Sequence, residues 1–127
     1  IDTLQFHGDE TVIDCTQFQM PFIKSVRVSQ DTNVSQIADD FSMASALLLD
    51  SYNPSNYGGT GEVFDWSLAC VDIDLPIILA GGLTSENVKD AIKQVKPFAV
   101  DASSGVESEP GIKDIDKIKA FIKQIQS

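Results

Sequence analysis

Pro76-Ile-Ile-Leu-Ala-Gly-Gly82 and Phe98-Ala-Val-Asp-Ala-Ser-Ser-Gly105 are two short apolar runs that end in small residues, with a helix-like segment between them. This arrangement is typical of the last two strands of a (β/α) barrel, whose following loops bind phosphate. A glycine has no Cβ, so its backbone N–H can approach an anion closely, and a short helix adds a positive dipole end. The sequence therefore predicts a phosphate site whose ligands are Gly81, Gly82, Ser103, Ser104 and Gly105.

The rest of the chain has the same alternation of apolar runs and helical periodicity, which indicates βαβ units and a parallel sheet. Five strands are predicted, at Thr3–Phe6, Phe22–Val28, Ala46–Leu49, Pro76–Ala80 and Phe98–Ala102. Apolar residues recur at helical spacing in three segments, which begin at Val34, Val88 and Ile115. Ser85 and Asp114 are expected to cap the second and third of these helices.

A closed barrel needs eight strands, because every strand edge must be paired. We therefore expect residues 1–127 to be the C-terminal part of a single (β/α)8 (TIM) barrel domain, with about five of its eight units present. About three β/α units, roughly 75 residues, would lie upstream. The alternative is a complete five-stranded, doubly wound open sheet, and length and composition do not separate the two.

The amino-acid composition limits the kinds of molecule that the protein is expected to bind. The chain has 43% hydrophobic residues and a net charge of −10, which argues against nucleic acid or an anionic membrane but not against a small phosphorylated substrate. Cys15 and Cys70 lie far apart in the sequence, and we therefore expect them to be reduced thiols of a cytoplasmic protein. Neither a secretory leader nor an apolar run of membrane-spanning length is predicted. One histidine makes a His-based metal site unfavourable, and neither metal nor cofactor is predicted.

Five motifs then occur in a defined order. They are Gln5-Phe-His-Gly-Asp-Glu10; Leu47-Leu-Leu-Asp50; Tyr57-Gly-Gly-Thr-Gly61 with Phe64-Asp-Trp66; Leu79-Ala-Gly-Gly-Leu83 with Glu86-Asn-Val88; and Val100-Asp-Ala-Ser-Ser-Gly-Val-Glu107 with Pro110-Gly-Ile-Lys-Asp114. The set resembles the C-terminal part of the phosphoribosylanthranilate isomerases, from the fourth strand through the eighth helix. The resemblance implies a TIM barrel and an Amadori rearrangement of N-(5-phosphoribosyl)anthranilate in tryptophan biosynthesis.

This reaction requires an acid that protonates the ribose ring oxygen and a base that removes the C2 proton. The resemblance implies that Asp50, at the end of an apolar strand, is the general acid, although an aspartate that closes a strand is also common loop chemistry. The family's base is a cysteine on the first barrel strand, outside this sequence, so we expect the chain alone to be inactive. Cys15 and Cys70 fall in helix-like stretches and are interpreted as packing residues.

Other residues are predicted around the same barrel mouth. His7, Arg27 and Asp101 are expected to bind substrate, with structural hydrogen bonds or surface charges as the alternatives. A glycine-rich loop after Asp50 is expected to be a lid that excludes water, or else an ordinary connection. Its residues are Gly58, Gly59, Thr60 and Gly61. The aromatic pair Phe64 and Trp66 is expected to pack a helix onto the barrel wall.

Two other functions remain open at this point. One is another phosphate-binding barrel enzyme, of the indole-glycerol-phosphate synthase or phosphosugar epimerase type, which would need a lysine or metal ligands at strand ends. The other is a non-catalytic phosphate-binding protein, for which tight turns alone explain the glycines and serines. We also expect association with the missing β/α units or a homo-oligomer, because open sheet edges invite pairing.

Overall fold

The computed structural model describes residues 1–50 and 65–127. Its strands are β1 (Leu4–Phe6), β2 (Phe22–Arg27), β3 (Ala46–Asp50), β4 (Ile77–Ala80), β5 (Ala99–Val100), β6 (Glu107–Glu109) and β7 (Ile112–Lys113). Its α-helices are α1 (Val12–Thr16), α2 (Val34–Asp40), α3 (Val88–Val95) and α4 (Ile115–Gln126), with 3-10 turns at Trp66–Ala69 and Ser104–Val106.

The main sheet has the strand order β1-β2-β3-β4-β5, and all four pairings are parallel. Each strand therefore lies beside the strand that follows it in sequence. A doubly wound sheet would reverse direction at a switch point, so that its first strand would lie in the interior of the sheet. The observed order is that of a barrel wall, as predicted.

The five predicted strands are all present, with shorter bounds in four cases. The last is reduced to Ala99–Val100, although the N–H groups of Phe98 and Asp101, on either side of it, still donate to carbonyl oxygens of β4 at 2.8 Å. The small antiparallel pair β6–β7 was not predicted, since its strands are short and mostly exposed. Gly111, with φ +83°, closes this hairpin, and its N–H donates to Glu107 at 3.0 Å.

The sheet has one face in the core and one face turned away from it. Val26, Leu49 and Leu79 are paired positions of neighbouring strands, and all three are buried in the main apolar cluster. The next paired set along the same strands is Arg27, Asp50 and Ala80. Because side chains alternate between the two faces of a strand, this set projects from the face opposite to the helices.

The helices cover the core face with small and branched side chains. α2 contributes Val34 and Ala38, and α3 contributes Val88 and Ala91. α4 buries Phe121, whereas its predicted apolar stripe is packed only in part, since Ile115 and Ile122 remain 69% and 47% exposed. Part of the surface of α4 is therefore apolar and uncovered by the described residues.

The two cysteines have different environments. Cys15 is fully buried in α1 beside Phe22 and Ala44, so its predicted packing role is confirmed. The same prediction is wrong for Cys70, which is exposed. The segment before Cys70 forms a single 3-10 turn in place of the predicted helix, and the thiol lies 3.3 Å from the carbonyl oxygen of Gln94. Trp66 packs against the main core as predicted.

One of the two predicted helix caps is confirmed. The Asp114 carboxylate accepts hydrogen bonds from the N–H groups of Asp116 and Lys117 at 2.9 and 3.1 Å. The prediction for Ser85 is wrong, since α3 begins after Asn87. A turn from Thr84 to Asn87 precedes the helix and includes Ser85.

Candidate functional site

All the predicted site residues that the structure describes lie at one edge of the sheet. His7 follows β1, Arg27 and Asp50 end β2 and β3, and Asp101 follows β5. Because the strands are parallel, their carboxyl ends meet at the same edge, which is where barrel enzymes place their active sites. The lid residues Gly58, Gly59, Thr60 and Gly61, together with Phe64, lie outside the described residues.

A cavity of about 510 Å³ opens at the carboxyl ends of the first three strands. It brings together three of the predicted residues, His7, Arg27 and Asp50. Arg27 and Asp50 are direct partners in the β2–β3 register, so their side chains project side by side. The cavity therefore combines a carboxyl group, a guanidinium and an imidazole, which suits proton transfer near an anionic ligand.

The two glycine turns lie beyond this cavity, at the ends of β4 and β5. Gly81 and Gly82 have φ values of +88° and +67°, which L side chains rarely adopt. Gly105 has a different constraint, because a Cβ placed on it would lie 1.9 Å from the carbonyl oxygen of Leu83. The turn after β5 therefore packs directly on the turn after β4. The backbone conformation alone favours glycine at positions 81 and 82, and close packing requires it at position 105. The same packing places the turn after β4 in contact with the turn after β5.

Two side chains that the sequence analysis left without a role fix these turns. The Asn87 amide donates to the carbonyl of Gly82 at 2.9 Å and accepts from the N–H of Thr84 at 2.8 Å. Lys113 donates to the carbonyl of Ser103 at 3.1 Å. Asn87 and Lys113 both lie in quoted motifs, so their positions were usable signals, but Lys113 reaches back ten residues from a hairpin that was not predicted.

Lys24 is a further charged residue that lines the cavity. Lys24 is 5% exposed, and its Nζ donates to the carbonyl of Gly8 at 2.8 Å and lies 3.6 Å from Oε2 of Glu10. Hydrogen bonds from backbone N–H groups hold the pKa of Glu10 below its ordinary value, burial opposes this shift, and the charge of Lys24 adds to it. The sequence analysis placed Lys24 on the second strand but did not predict this contact.

Cys15 has the wrong environment for a general base. Burial raises the pKa of its thiol, with a smaller opposing contribution from Lys24, so the group stays protonated at neutral pH. In residues 1–50 and 65–127, no group of three or more His, Cys, Asp or Glu side chains is arranged to hold a metal ion. Across the same ranges, no helix is long and apolar enough to cross a membrane.

Comparison with known proteins gives a consistent result. The family model described as "PRAI: N-(5'phosphoribosyl)anthranilate (PRA) isomerase" matches residues 1–124. The N-(5'-phosphoribosyl)anthranilate isomerase of Pseudomonas fluorescens (strain Pf0-1) is 52% identical over 126 residues, which are 99% of this chain and 62% of that protein. The chain thus spans about three fifths of the length of this relative.

Solved structures agree with the sequence matches. The crystal structure of phosphoribosyl anthranilate isomerase from Thermotoga maritima has a TM-score of 0.85 and 42% identity, and the match covers 99% of this chain and 62% of that one. A phosphoribosyl anthranilate isomerase in complex with reduced 1-(o-carboxyphenylamino)-1-deoxyribulose 5-phosphate has a TM-score of 0.78 and 36% identity, with 99% and 60% covered. The strand order and these superpositions confirm the predicted TIM-barrel fold.

Proposed function

The chain belongs to the N-(5'-phosphoribosyl)anthranilate isomerase family, and we propose that it forms the part of such an isomerase that holds the general acid and the substrate phosphate. The reaction is the Amadori rearrangement of N-(5'-phosphoribosyl)anthranilate to 1-(2-carboxyphenylamino)-1-deoxyribulose 5-phosphate in tryptophan biosynthesis. This is an aldose–ketose type of intramolecular oxidoreduction. The observation that carries the proposal is the position of Asp50, which ends β3 and lines the cavity at the carboxyl edge of the sheet.

Asp50 acts first in the proposed mechanism. Its protonated carboxyl group gives a proton to the ribose ring oxygen while the C1–O bond breaks and the amino nitrogen lone pair forms an iminium at C1. A base then removes the C2 proton, and the electrons of the C2–H bond give an enolamine that tautomerises to the ketone. The family resemblance assigns this base to a cysteine outside the present sequence. The chain's own Cys15 is unsuitable, because burial raises the pKa of its thiol.

The substrate phosphate is proposed to bind where the two glycine turns meet. Support comes from the close approach of Gly105 to Leu83 and from the positive φ values of Gly81 and Gly82. Backbone N–H groups and the exposed hydroxyls of Ser103 and Ser104 would donate to the anion.

The other predicted ligands surround the reacting sugar. Arg27 supplies positive charge next to Asp50, and His7 contacts the substrate from the end of β1. Asp101 is proposed to hold ribose hydroxyls. The loop that contains Gly58 and Gly61 is proposed to close over the bound substrate and exclude water.

We infer that the remaining β/α units of the barrel, in the same polypeptide or in another chain, complete this site. In the described part of the chain, β1 and β5 each pair on one side only. Phe98, next to β5, is 81% exposed, and α4 also has uncovered apolar surface. A second copy of the chain is the other proposed partner. Residues 1–127 alone are expected to lack isomerase activity, since the base is outside them.

The synthase, epimerase and non-catalytic alternatives are not retained, because the matches at 42% and 52% identity are both to isomerases.

The proposed role of Asp50 is tested with Asp50→Asn in the protein expressed from the whole coding sequence, with substrate and product separated chromatographically. Loss of the acid should lower kcat by about 100-fold to 10,000-fold. Asp72→Asn is the matched control, because Asp72 is exposed in the loop that leads into β4, at the other edge of the sheet. Full activity of Asp50→Asn would refute the assignment.

A further inference from the structure

Lys24 is the buried charged residue among the described ranges, and it lies in the interior of a strand. Its neighbours on the same face of β2, Phe22 and Val26, belong to the two apolar clusters. Burying an ammonium costs free energy unless it is paired and hydrogen-bonded, and an apolar residue of similar volume often serves the fold as well. Packing alone therefore does not explain a lysine at this position.

The contacts of Lys24 converge on the loop Gly8–Glu10, which directly follows His7. The Gly8 carbonyl accepts from Lys24 Nζ at 2.8 Å, and the Gly8 N–H donates to Oε1 of Glu10 at 3.0 Å. The peptide groups on both sides of Gly8 are therefore held. The ring centroid of Phe41 lies 5.4 Å from the ammonium, within the range of a cation–π contact.

Glu10 is fixed in turn by its surroundings. Its Oε2 is inaccessible to solvent and has no hydrogen-bond partner, and it lies 3.6 Å from Lys24 Nζ. The next residue, Thr11, begins α1 with a reciprocal capping box that includes Asp14. The loop is thus held at one end by β1 and at the other end by the capped helix α1, and Lys24 contacts it at Gly8 and Glu10.

We propose that Lys24 is a positioning residue, which together with Glu10 fixes the loop Gly8–Glu10 and thereby sets the direction of the His7 imidazole in the cavity that also contains Arg27 and Asp50. This inference rests on the proposed function, because it gives the orientation of His7 a catalytic consequence. Lys24 itself lies on the helix-facing side of β2, whereas Arg27 projects from the opposite face. It therefore acts through the loop.

The test compares Lys24→Met, which keeps most of the side-chain volume, with Lys93→Met on the exposed face of α3. In the intact protein, Lys24→Met should lower kcat/KM by on the order of 10-fold to 100-fold, since misplacement of a contact by about 1 Å can have that effect. Lys93→Met should leave kcat/KM unchanged. If Lys24 acts through His7, adding Lys24→Met to His7→Asn should change kcat/KM by less than about twofold, because coupled sites are not additive.

A second readout does not depend on activity. The chain contains one histidine, so the imidazole resonance that disappears in His7→Asn belongs to His7. Lys24→Met and Glu10→Gln should both move or broaden this resonance, whereas Lys93→Met should not. The inference is overturned if the imidazole resonance is unchanged in folded Lys24→Met, or if the two kinetic effects multiply fully. A protein without isomerase activity would refute the proposed function alone, since the resonance would still test the contact.

Discussion

Replacing Gly105 with alanine is expected to separate the two turns that form the proposed phosphate site. A Cβ on Gly105 would lie 1.9 Å from the carbonyl oxygen of Leu83 and 2.9 Å from its carbonyl carbon. The obstacle is backbone, which cannot rotate away as a flexible side chain can. One of the turns must therefore move by about 1 Å or more to restore an ordinary contact, and overpacking of this kind typically costs about 1–3 kcal/mol, occasionally more.

Gly111→Ala is the matched control. It introduces the same methyl group where nothing lies within 4 Å, but at a φ of +83°. It should therefore show only the cost of a left-handed conformation, about 1–2 kcal/mol. Urea unfolding of both variants, in the intact protein, would give the two free energies of unfolding.

Substrate affinity separates the two variants more clearly than stability does. A displacement of about 1 Å in a ligand contact should raise KM at least tenfold for Gly105→Ala, whereas Gly111→Ala, which is not among the proposed phosphate ligands, should keep the KM of the parent protein. Inorganic phosphate, used as a competitive inhibitor, should lose affinity in the same variant. Unchanged KM and unchanged phosphate inhibition in folded Gly105→Ala would refute the convergence of the turns on the substrate phosphate.

Two further predictions concern the N-terminal caps of α4 and α3 and the stability of the protein at acid pH. Asp114→Ala should lower the free energy of unfolding by about 1 kcal/mol because it removes the cap of α4, whereas Ser85→Ala should change it by less than about 0.5 kcal/mol; equal losses in urea unfolding would contradict the cap assignment. The pKa of Glu10 is lowered from its ordinary value of 4.5 in the folded state, so its contribution to stability is present above that value and lost as pH falls through the lower folded-state pKa. Glu10→Gln should therefore lose less stability than the parent protein between pH 6 and pH 3, and parallel pH profiles would contradict this.

The parallel strands were predictable because buried strands of this kind carry continuous apolar runs. Leu47, Leu48 and Leu49 are all buried, so both faces of β3 avoid solvent and the run is unmistakable in the sequence. The start of α3 was harder to predict. Ser85 and Asn87 are both good capping residues, and the outcome depended on Asn87, whose amide can donate to Gly82 and accept from Thr84 at once.

The edge location of the site was also predictable, because the carboxyl ends of parallel strands meet wherever such strands pair. The Lys24 contact was not, since it joins residues sixteen positions apart, and no local periodicity encodes which carbonyl a buried ammonium will reach. The predicted packing role of Cys70 was wrong for a similar reason. Its exposure depends on a short 3-10 turn in place of the longer helix that the prediction assumed.

The consecutive order of the strands has a consequence for how the chain folds. Leu4 pairs with Phe22 and Leu47 with Ile77, and the separations of the other two pairings fall between these, so each new pairing closes a loop of about 18 to 30 residues. Short closures lose little chain entropy and favour rapid folding. Any adjacent pair can serve as a nucleus, and the sheet can then grow by one strand at a time at either side. A protein built in this manner can acquire its architecture progressively while it emerges from the ribosome.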